Sequence, residues 1–438
     1  MRRAILVVAL AVAAIGLSLD AAQLTRVRQG RMFSQPLVEG ESVPPIAHYV
    51  STSGNDSNSC DASLSSSTPK RNFNGAQGAL ACLSAGETLL VRGGTYVEVI
   101  DNVVMAGTSW ANTIRIAAYP GETVWLKPTV AASQYILHFI NGQTYLDFDG
   151  INLDASNGTT GSPMGGLLLR SGGSENADHI RFQNAELILN RPVCDVDTCP
   201  VGIVFAGLPT DSGDNEITNV TIHGSGGDNT VYGMYIHTSN NTVDRCHIYD
   251  VSYEGLQIYS GAGLSSGNIV KNCRIHDIVQ SHYSGRSGIV TSGNNHVIVN
   301  NLIYNINSDN AGVGSGIFVY DGVGQFILNN TIANSNLNEA IAVGSVFRNP
   351  TNTLIENNIA YGNTGSNDVV HGPSSTSTRV TNLFGVNPNF LNPGANDFRL
   401  QASSTAAINT GTATAYTFDI LGVTRPQGKL FDIGAYEF

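Results

Sequence analysis

Apolar and polar residues alternate over short runs of this chain, and Gly, Asn, Asp and Ser bound the runs. Five of these runs begin with a small residue followed by alternating apolar positions, at Gly233, Gly255, Gly288, Gly316 and Ala340. A period of two with such boundaries is typical of β-strands rather than helices. The pattern therefore predicts a series of equivalent strands.

A second column of residues runs in phase with these strands. Cys246, Cys273, Asn301, Asn330 and Asn358 follow one another at intervals of 27, 28, 29 and 28 residues. A fixed period of this length indicates a solenoid in which each repeat forms one turn. With 42% hydrophobic residues but only 13% charged residues, the 438-residue chain suits stacked strands, because stacked charges would repel one another.

The chain divides into four segments. Residues 1–22, two arginines followed by an apolar run, are typical of a secretory signal, and an uncleaved anchor is the alternative. Residues 23–45 form a linker, 46–390 the solenoid and 391–438 a C-terminal cap. Within the solenoid, the stretch 73–83 is a candidate for a short helix that caps the first turn, whose edge would otherwise be exposed.

Two stretches near the start, YVSTSGN (49–55) and GETLLVRGGTY (86–96), resemble right-handed parallel β-helix proteins of the pectate-lyase-like superfamily. The Asn-Asn repeats between residues 230 and 363 match the coils of that superfamily. DFRL (397–400), AINTG (407–411) and DIGAYE (432–437) resemble the C-terminal choice-of-anchor region of bacterial surface proteins. The resemblance implies an all-β right-handed parallel β-helix, and it leaves the activity open among lyases, hydrolases, epimerases and adhesins.

The six cysteines of an exported chain are expected to pair. Their positions predict three local disulfides, Cys60–Cys82, Cys194–Cys199 and Cys246–Cys273. The last pair would join stacked turns, since strand spacing falls within the Cα separation that a disulfide accepts. A column of buried free thiols is the alternative for Cys246 and Cys273.

The asparagine column is expected to be structural. Inward Asn side chains can bond to their copies in the turns above and below and satisfy backbone groups. Asp250 and Asp277 align with Asn305 and Asn334, so we expect these four residues to form turns.

Candidate binding residues lie at outward positions of the Gly-led strands. These positions are Tyr235, His237, Gln257, Tyr259, Val290, Ser292, Phe318 and Tyr320. Aromatic side chains on an exposed sheet can stack against sugar rings while polar neighbours bind hydroxyl groups. The alternative is that these rings only stack on one another and stabilise the sheet. Glu254 and His282 lie in turns that open on the same face and complete the predicted binding set.

For β-elimination, a base must take the proton at C5 of a uronate while a cation or metal neutralises the adjacent carboxylate. Resemblance to β-helix lyases favours Arg or Lys as the base. It suggests Arg286, with His237 and Tyr259 as acid, base or binding groups. Hydrolysis would instead need two carboxylates about 5–9 Å apart, for which Glu254, Asp321 and Glu339 are the candidates.

Calcium is a candidate cofactor because oxygen-rich loops are present. The carboxylates concerned are Asp195, Asp197, Asp147, Asp149 and Asp154. The net charge of −12, without a basic stripe, argues against nucleic acid as a partner.

The sequence therefore predicts a monomeric, secreted or cell-surface β-helix that binds a polysaccharide. We expect a lyase acting on a uronate-containing glycan. A non-catalytic adhesion protein, a glycoside hydrolase and an epimerase of the same fold are the alternatives.

Overall fold

The computed structural model describes residues 46–102, 106–129, 135–140, 142–158, 164–170, 177–189, 201–208, 211, 213–224, 231–259, 264–278, 286–307 and 314–438. The predicted signal segment and the predicted linker lie outside the described residues. Regular structure in the described residues is almost entirely β, with three 3-10 turns at Ala62–Leu64, Ala79–Cys82 and Pro393–Ala395. None of the described helices is long and apolar enough to cross a membrane.

The strands are short and follow one another closely along the chain. The first are β1 Ala47–Val50, β2 Thr88–Val91, β3 Gly94–Tyr96, β4 Ile100–Asp101, β5 Ile114–Ala118, β6 Val124–Leu126, β7 Tyr135–Phe139 and β8 Thr144–Asp149. Then come β9 Ile151–Asp154, β10 Gly165–Arg170, β11 Asp178–Ile188, β12 Ile203–Ala206, β13 Glu216–His223, β14 Met234–Ile236, β15 Thr242–Asp244 and β16 His247–Val251. These are followed by β17 Leu256–Ile258, β18 Ser265–Ser266, β19 Ile269–Lys271, β20 Arg274–Ile278, β21 Arg286–Asn294, β22 Val297–Val299, β23 Leu302–Ile306 and β24 Gly314–Asp321. The last are β25 Phe326–Leu328, β26 Thr331–Ala333, β27 Glu339–Val343, β28 Thr353–Glu356, β29 Ile359–Tyr361, β30 Ser366–His371, β31 Ser377–Val380 and β32 Leu383–Phe384.

Each regular turn contributes three strands, and each strand pairs in parallel with its copies in the neighbouring turns. The first strands form what we call the groove sheet: β4, β7, β10, β12, β14, β17, β21, β24, β27 and β30. The next strands form a second file, which includes β15, β19, β22, β25 and β28, and the last form a third file, which includes β16, β20, β23, β26 and β29. The predicted parallel β-helix is therefore confirmed.

The core follows from the alternation seen in the sequence. In β14, Met234 and Ile236 are buried whereas Tyr235 is partly exposed. Stacked copies of such strands place apolar side chains in continuous files, and one core cluster extends from Val50 to Val369. Burial of apolar surface along the whole solenoid is its main stabilising term.

The asparagine column forms a hydrogen-bonded ladder inside the solenoid, as predicted. The backbone N–H of Cys273 donates to Oδ1 of Asn301 at 2.9 Å, that of Asn301 to Oδ1 of Asn330 at 3.0 Å, and that of Asn330 to Oδ1 of Asn358 at 2.9 Å. Nδ2 of Asn330 donates to the carbonyl of Ile298 at 2.9 Å. The ladder therefore satisfies buried backbone groups at a corner where the strands are interrupted.

The residues predicted as turns also adopt the expected backbone. Asp250, Asp277, Asn305 and Asn334 all have positive φ, at 50°, 49°, 50° and 48°. Asn and Asp tolerate this left-handed conformation better than other residues with side chains.

The Cys246–Cys273 disulfide was predicted wrongly, because both thiols are buried and unbonded. In-register parallel strands hold equivalent side chains side by side, about 4.8 Å apart, whereas a disulfide requires Cβ atoms about 3.8 Å apart. The Cys273 sulfur instead continues the hydrogen-bonded ladder, since Sγ accepts the backbone N–H of Cys246 at 3.4 Å. Burial raises the pKa of the Cys273 thiol, which keeps it protonated.

The predicted disulfide between Cys60 and Cys82 is confirmed, with a Cα–Cα distance of 5.3 Å. It fastens the N-terminal cap, in which Phe73 and Leu80 are buried against the first turn. The helix expected over 73–83 is only a 3-10 turn, since Gly75 has a φ of +90° that a right-handed helix does not allow. Cys194 and Cys199 lie outside the described residues.

The C-terminal segment, predicted as a cap, packs along the outer face of the third file. Phe398, Leu400 and Ile433 are buried against Leu302 and Tyr304 and their equivalents in the following turns. Main-chain and side-chain hydrogen bonds fix the contact, including Gly434 N–H to the carbonyl of Asn357 at 2.7 Å and Ala435 N–H to Oγ1 of Thr331 at 3.0 Å. The segment thus covers several turns at once.

His296 occupies a position that Asn268 and Asn241 hold in the two preceding turns. Its Nδ1 accepts the backbone N–H of Asn268 at 3.1 Å, and Nε2 lies 3.4 Å from Oγ of Ser265. Burial lowers the pKa of His296 to about 4. The folded chain therefore keeps this imidazole neutral well below the pH at which an exposed histidine is protonated.

We expect His296→Asn to reduce the acid sensitivity of the fold while keeping the backbone bond. Because the folded-state pKa is depressed, the contribution of His296 is present above about pH 6.5 and lost as the pH falls towards 4. The wild type should therefore lose up to about 3 kcal/mol more than the variant over this interval. Denaturant unfolding at several pH values measures the difference, and parallel pH curves for the two proteins would contradict it.

Candidate functional site

The outward face of the groove sheet carries a file of equivalent positions, one from each turn. Tyr235 pairs with Gln257, Gln257 with Val290, Val290 with Phe318, and Phe318 with Ala342, each in the next turn. Residues two positions further along, His237, Tyr259 and Tyr320, form a second outward file at the downstream edge of the strands. The structure thus brings most of the predicted binding residues onto one surface.

The glycines that open these strands allow the sheet to approach the opposite wall. A Cβ atom on Gly255 would lie 2.5 Å from Cγ2 of Ile275, and one on Gly316 would lie 2.5 Å from Cγ2 of Ile332. Real Cβ atoms do not tolerate such contacts, so this close packing requires glycine. The same packing holds the following outward residues on a rigid base.

Four rings form an upstream cluster on this surface. The Tyr235 ring stacks on Tyr232 at 5.1 Å between centroids and contacts His237 at 4.4 Å, while Tyr253 meets Tyr232 edge to face at 4.9 Å. Burial raises the pKa of Tyr232 and of Tyr235, so both phenols stay protonated. The cluster is a fixed aromatic platform with hydroxyl groups at its edges.

A downstream cluster lies over the following turns. Tyr259 and Tyr320 meet at 5.8 Å, and Phe318 contacts Tyr320 at 5.4 Å. Val290 and Ser292, predicted to be outward, belong to the intervening turn and are buried. Their small side chains leave room for the flanking rings to meet above them.

Sequence reasoning missed Arg348, which reaches this cluster from the loop after β27. Its guanidinium lies 5.7 Å from the centre of the Tyr320 ring, and Nη1 lies 3.3 Å from Oδ2 of Asp321. The side chain is 48% exposed. Its neighbour in the loop, Phe347, is 84% exposed. Neither residue belongs to the repeat, and no periodic signal marks them.

His237 is the titratable group best placed for proton transfer on this surface. It is half-buried, and burial lowers its pKa below 6.5, so the imidazole is neutral near pH 7 and can accept a proton. Tyr259 follows Ile258, which pairs with Ile236 beside His237, so the two side chains occupy equivalent positions in adjacent turns. Strand spacing separates them by about 4.8 Å.

Arg286 does not join His237 and Tyr259. It opens β21, one residue before the partner of Ser315, whereas Tyr259 aligns with the other end of the same strand near Ser292. Six residues of extended strand separate these levels by about 20 Å. The three predicted catalytic residues therefore do not form one constellation. His282 lies outside the described residues.

The three carboxylates considered for hydrolysis are also apart. Glu254 and Glu339 occupy the same level of the groove sheet but are three turns apart, or about 14 Å. Asp321 lies six residues beyond the partner of Glu339, about 20 Å along the strand. A hydrolytic pair needs a separation of about 5–9.5 Å, which these backbone positions do not provide.

A histidine–aspartate pair that sequence reasoning missed lies on the same sheet, three turns before Tyr235. Nδ1 of His138 lies 2.9 Å from Oδ1 of Asp101, and the His138 side chain is 14% exposed. Asp101 belongs to the two-residue strand β4, which is too short to show alternation in the sequence. The pair extends the polar part of the surface towards the first turns.

The described calcium candidates already have cationic partners. Arg115 contacts both Asp147 and Asp149, Arg181 also lies near Asp147, and Lys127 binds Asp154. Burial raises the pKa of Asp147 to about 6. Within the described residues, no three His, Cys, Asp or Glu side chains converge as metal ligands. Asp147, Asp149 and Asp154 therefore do not fit a calcium site, and Asp195 and Asp197 lie outside the described residues.

Comparison with known proteins agrees with this architecture. Residues 202–384 match the family model described as the right handed beta helix region. The structure is similar to that of pectate lyase Pel9A, with 17% sequence identity, a TM-score of 0.60 and coverage of 91% of this chain and 97% of that chain. It is less similar to XylC in complex with xylose, with 10% identity, a TM-score of 0.48 and coverage of 89% and 98%.

A further match is GH136 lacto-N-biosidase from Eubacterium ramulus, with 14% identity, a TM-score of 0.43 and coverage of 78% of this chain and 68% of that chain. A search of curated proteins gives no match. At these identities the structural similarity shows the fold alone.

We expect His237 to titrate below pH 6.5, because its burial disfavours the imidazolium. Nuclear magnetic resonance of the imidazole Cε1–H protons across pH 4–8 measures this directly, with His237→Gln assigning the signal. Titration of that signal at or above pH 6.5 would show that solvent reaches the ring freely and would contradict the lowered pKa of His237.

Proposed function

We propose that this chain, a right-handed parallel β-helix protein of the pectate-lyase-like type, is exported and binds a polysaccharide along the groove sheet. One observation carries the proposal: Tyr235, Gln257 and Phe318 occupy equivalent outward positions of one sheet, and the Tyr259, Tyr320 and Phe318 rings contact one another above it. Aromatic faces and edges with adjacent hydroxyl, amide and imidazole groups suit sugar rings, which combine apolar faces with polar rims.

Export is supported by the Cys60–Cys82 disulfide, since such bonds form and persist in oxidising compartments. The signal-like segment at residues 1–22 points the same way. A protein that acts on polysaccharides outside the cell would meet its substrate there.

The finer proposal is β-elimination on a uronate-containing glycan. His237 would take the proton from C5. The electron pair of the broken C5–H bond would form the C4–C5 double bond, and the bond from C4 to the glycosidic oxygen would break. The Tyr259 hydroxyl would supply a proton to that oxygen. Arg348 would bind a substrate carboxylate, which a chain of net charge −12 otherwise repels.

This assignment moves the base from Arg286 to His237. Arg286 lies about 20 Å from Tyr259 along the strand direction, and His237 combines a lowered pKa with a neighbouring phenol. Gln257, Glu254 and Phe318 remain proposed contacts for the sugar units on either side.

A non-catalytic glycan-binding or adhesion protein is the second candidate. The observation that favours it is that the rings within each cluster pack against one another, as in a preformed binding platform. Arg348 also has its own carboxylate partner in Asp321. Such a surface would retain a glycan without changing it.

We expect purified protein to release unsaturated sugars, which absorb in the ultraviolet, from pectate, alginate or a glycosaminoglycan. His237→Gln and Tyr259→Phe should each lower kcat by roughly 10²- to 10⁴-fold, because each removes a proton-transfer group. His223→Gln, on the outer face of the third file, is the matched control and should retain activity. Retention of glycan without ultraviolet-absorbing products would favour the adhesion function, and loss of both would refute the glycan proposal.

We expect Phe347→Ala to weaken glycan binding about tenfold, because it removes one aromatic contact worth about 1.4 kcal/mol. Phe347 is 84% exposed, so its removal should not change the free energy of unfolding appreciably. Phe418→Ala is the control, since Phe418 is exposed in the C-terminal segment. Affinity electrophoresis or calorimetry measures the change, and equal affinities for the two variants would exclude Phe347 from the binding surface.

A further inference from the structure

A second group of rings lies on the outer face of the third file, away from the outward face of the groove sheet. His223, Tyr249, His276 and Tyr304 stack one above another in successive turns, with centroid distances of 4.9, 5.3 and 4.5 Å. The planes of adjacent rings differ by only 3°, 5° and 13°. We call this stack the lateral ladder.

His247 stands beside the lateral ladder and faces His276 across one turn. The Nε2 atoms of the two imidazoles lie 2.6 Å apart. Nδ1 of His276 lies 2.7 Å from Oδ2 of Asp277, to which it donates a hydrogen bond when protonated. That bond leaves Nε2 of His276 as an acceptor, and the Nε2–H of His247 then donates to it.

We propose that His247 and His276 form a binding site for a divalent transition-metal ion such as Zn²⁺, Ni²⁺ or Cu²⁺. Both Nε2 atoms converge on one point, and a small outward rotation of the rings would admit an ion between them. Imidazole nitrogen is a preferred donor for these metals. The site does not depend on the proposed glycan function.

Two features of the surroundings suit a metal ligand. A carboxylate on the far ring nitrogen, as Asp277 provides for His276, commonly fixes the tautomer and orientation of ligating histidines. The neighbouring Tyr249 and Tyr304 rings hold His276 from both sides, so little ordering is required on binding.

Coordination requires a change in the proton arrangement of the pair. A ligating ring nitrogen must carry no proton, and Nε2 of His276 carries none when Nδ1 donates to Asp277. Besides the outward rotation of the rings, binding requires that the His247 proton move from Nε2 to Nδ1, which keeps the imidazole neutral. Water molecules would complete the coordination, and a site with two protein ligands should bind less tightly than a structural zinc site.

The charged groups around the pair have both signs. Arg274 is the partner of His247 in the next turn of the third file. Its guanidinium is 5.1 Å from the Tyr304 ring and donates a hydrogen bond to the Tyr304 hydroxyl. It opposes cation binding. Asp277, whose Oδ2 lies 2.7 Å from Nδ1 of His276, offsets that charge.

The test is titration of the untagged full chain with ZnCl₂, NiCl₂ and CuCl₂ by isothermal calorimetry at pH 7.5. We expect one ion per chain at this site, and CaCl₂ should give no competing signal. His247→Gln and His276→Gln should each weaken binding by at least tenfold. Asp277→Asn should weaken it by roughly 10- to 100-fold, because it removes the carboxylate from the ligating ring.

His223→Gln is the matched control, since it removes a ladder histidine that is not a proposed ligand, and it should bind as the wild type does. Circular dichroism of each variant checks that the fold is kept. His247→Gln changes no residue of the lateral ladder, so it tests the proposal even where His276→Gln does not fold. Absence of saturable binding, or unchanged affinity in His247→Gln, would overturn the proposal whether or not the protein acts on a glycan.

Discussion

Backbone groups at the corner of each turn depend on the side chain of the turn beside it. The amide of Asn301 needs Oδ1 of Asn330, and the amide of Asn330 needs Oδ1 of Asn358. A corner interrupts the sheet pairing, and a buried amide without an acceptor there would cost about 1–3 kcal/mol. The ladder therefore fixes the register between turns, and register decides which side chains point inward and which outward. The aromatic surface of the groove sheet exists because this register is kept.

Much of this architecture could be predicted from the sequence because repetition amplifies a weak local signal. One alternating run is ambiguous, but five runs in phase with a column of Asn and Cys specify a solenoid. The same logic placed Tyr235, Gln257 and Phe318 on one face, as the strand pairing shows. It failed for Cys246 and Cys273, because adjacency in a stack does not supply the convergent geometry that a disulfide needs.

The site was harder to predict, because aligned repeats show which residues are equivalent but not how far apart non-equivalent residues lie along the strands. Arg286 and Tyr259 belong to neighbouring turns, yet they lie at opposite ends of their strands. Arg348 lies in a loop, and Asp101, the partner of His138, lies in a two-residue strand, where no period marks them. Residues that carry chemistry on a solenoid often interrupt its repeat, and that is where periodic reasoning has least to offer.

The C-terminal segment gives the solenoid a property that its repeats alone do not supply. In a linear array each unit touches only its neighbours, so the last units can fray one at a time. Here Ile433 and Phe398 pack against Tyr304 and Ile359, and Gly434 is bonded to Asn357, so distant repeats share one fastening. The final repeats can unfold only after the whole C-terminal segment has dissociated from them, so their loss is a concerted event instead of a gradual one.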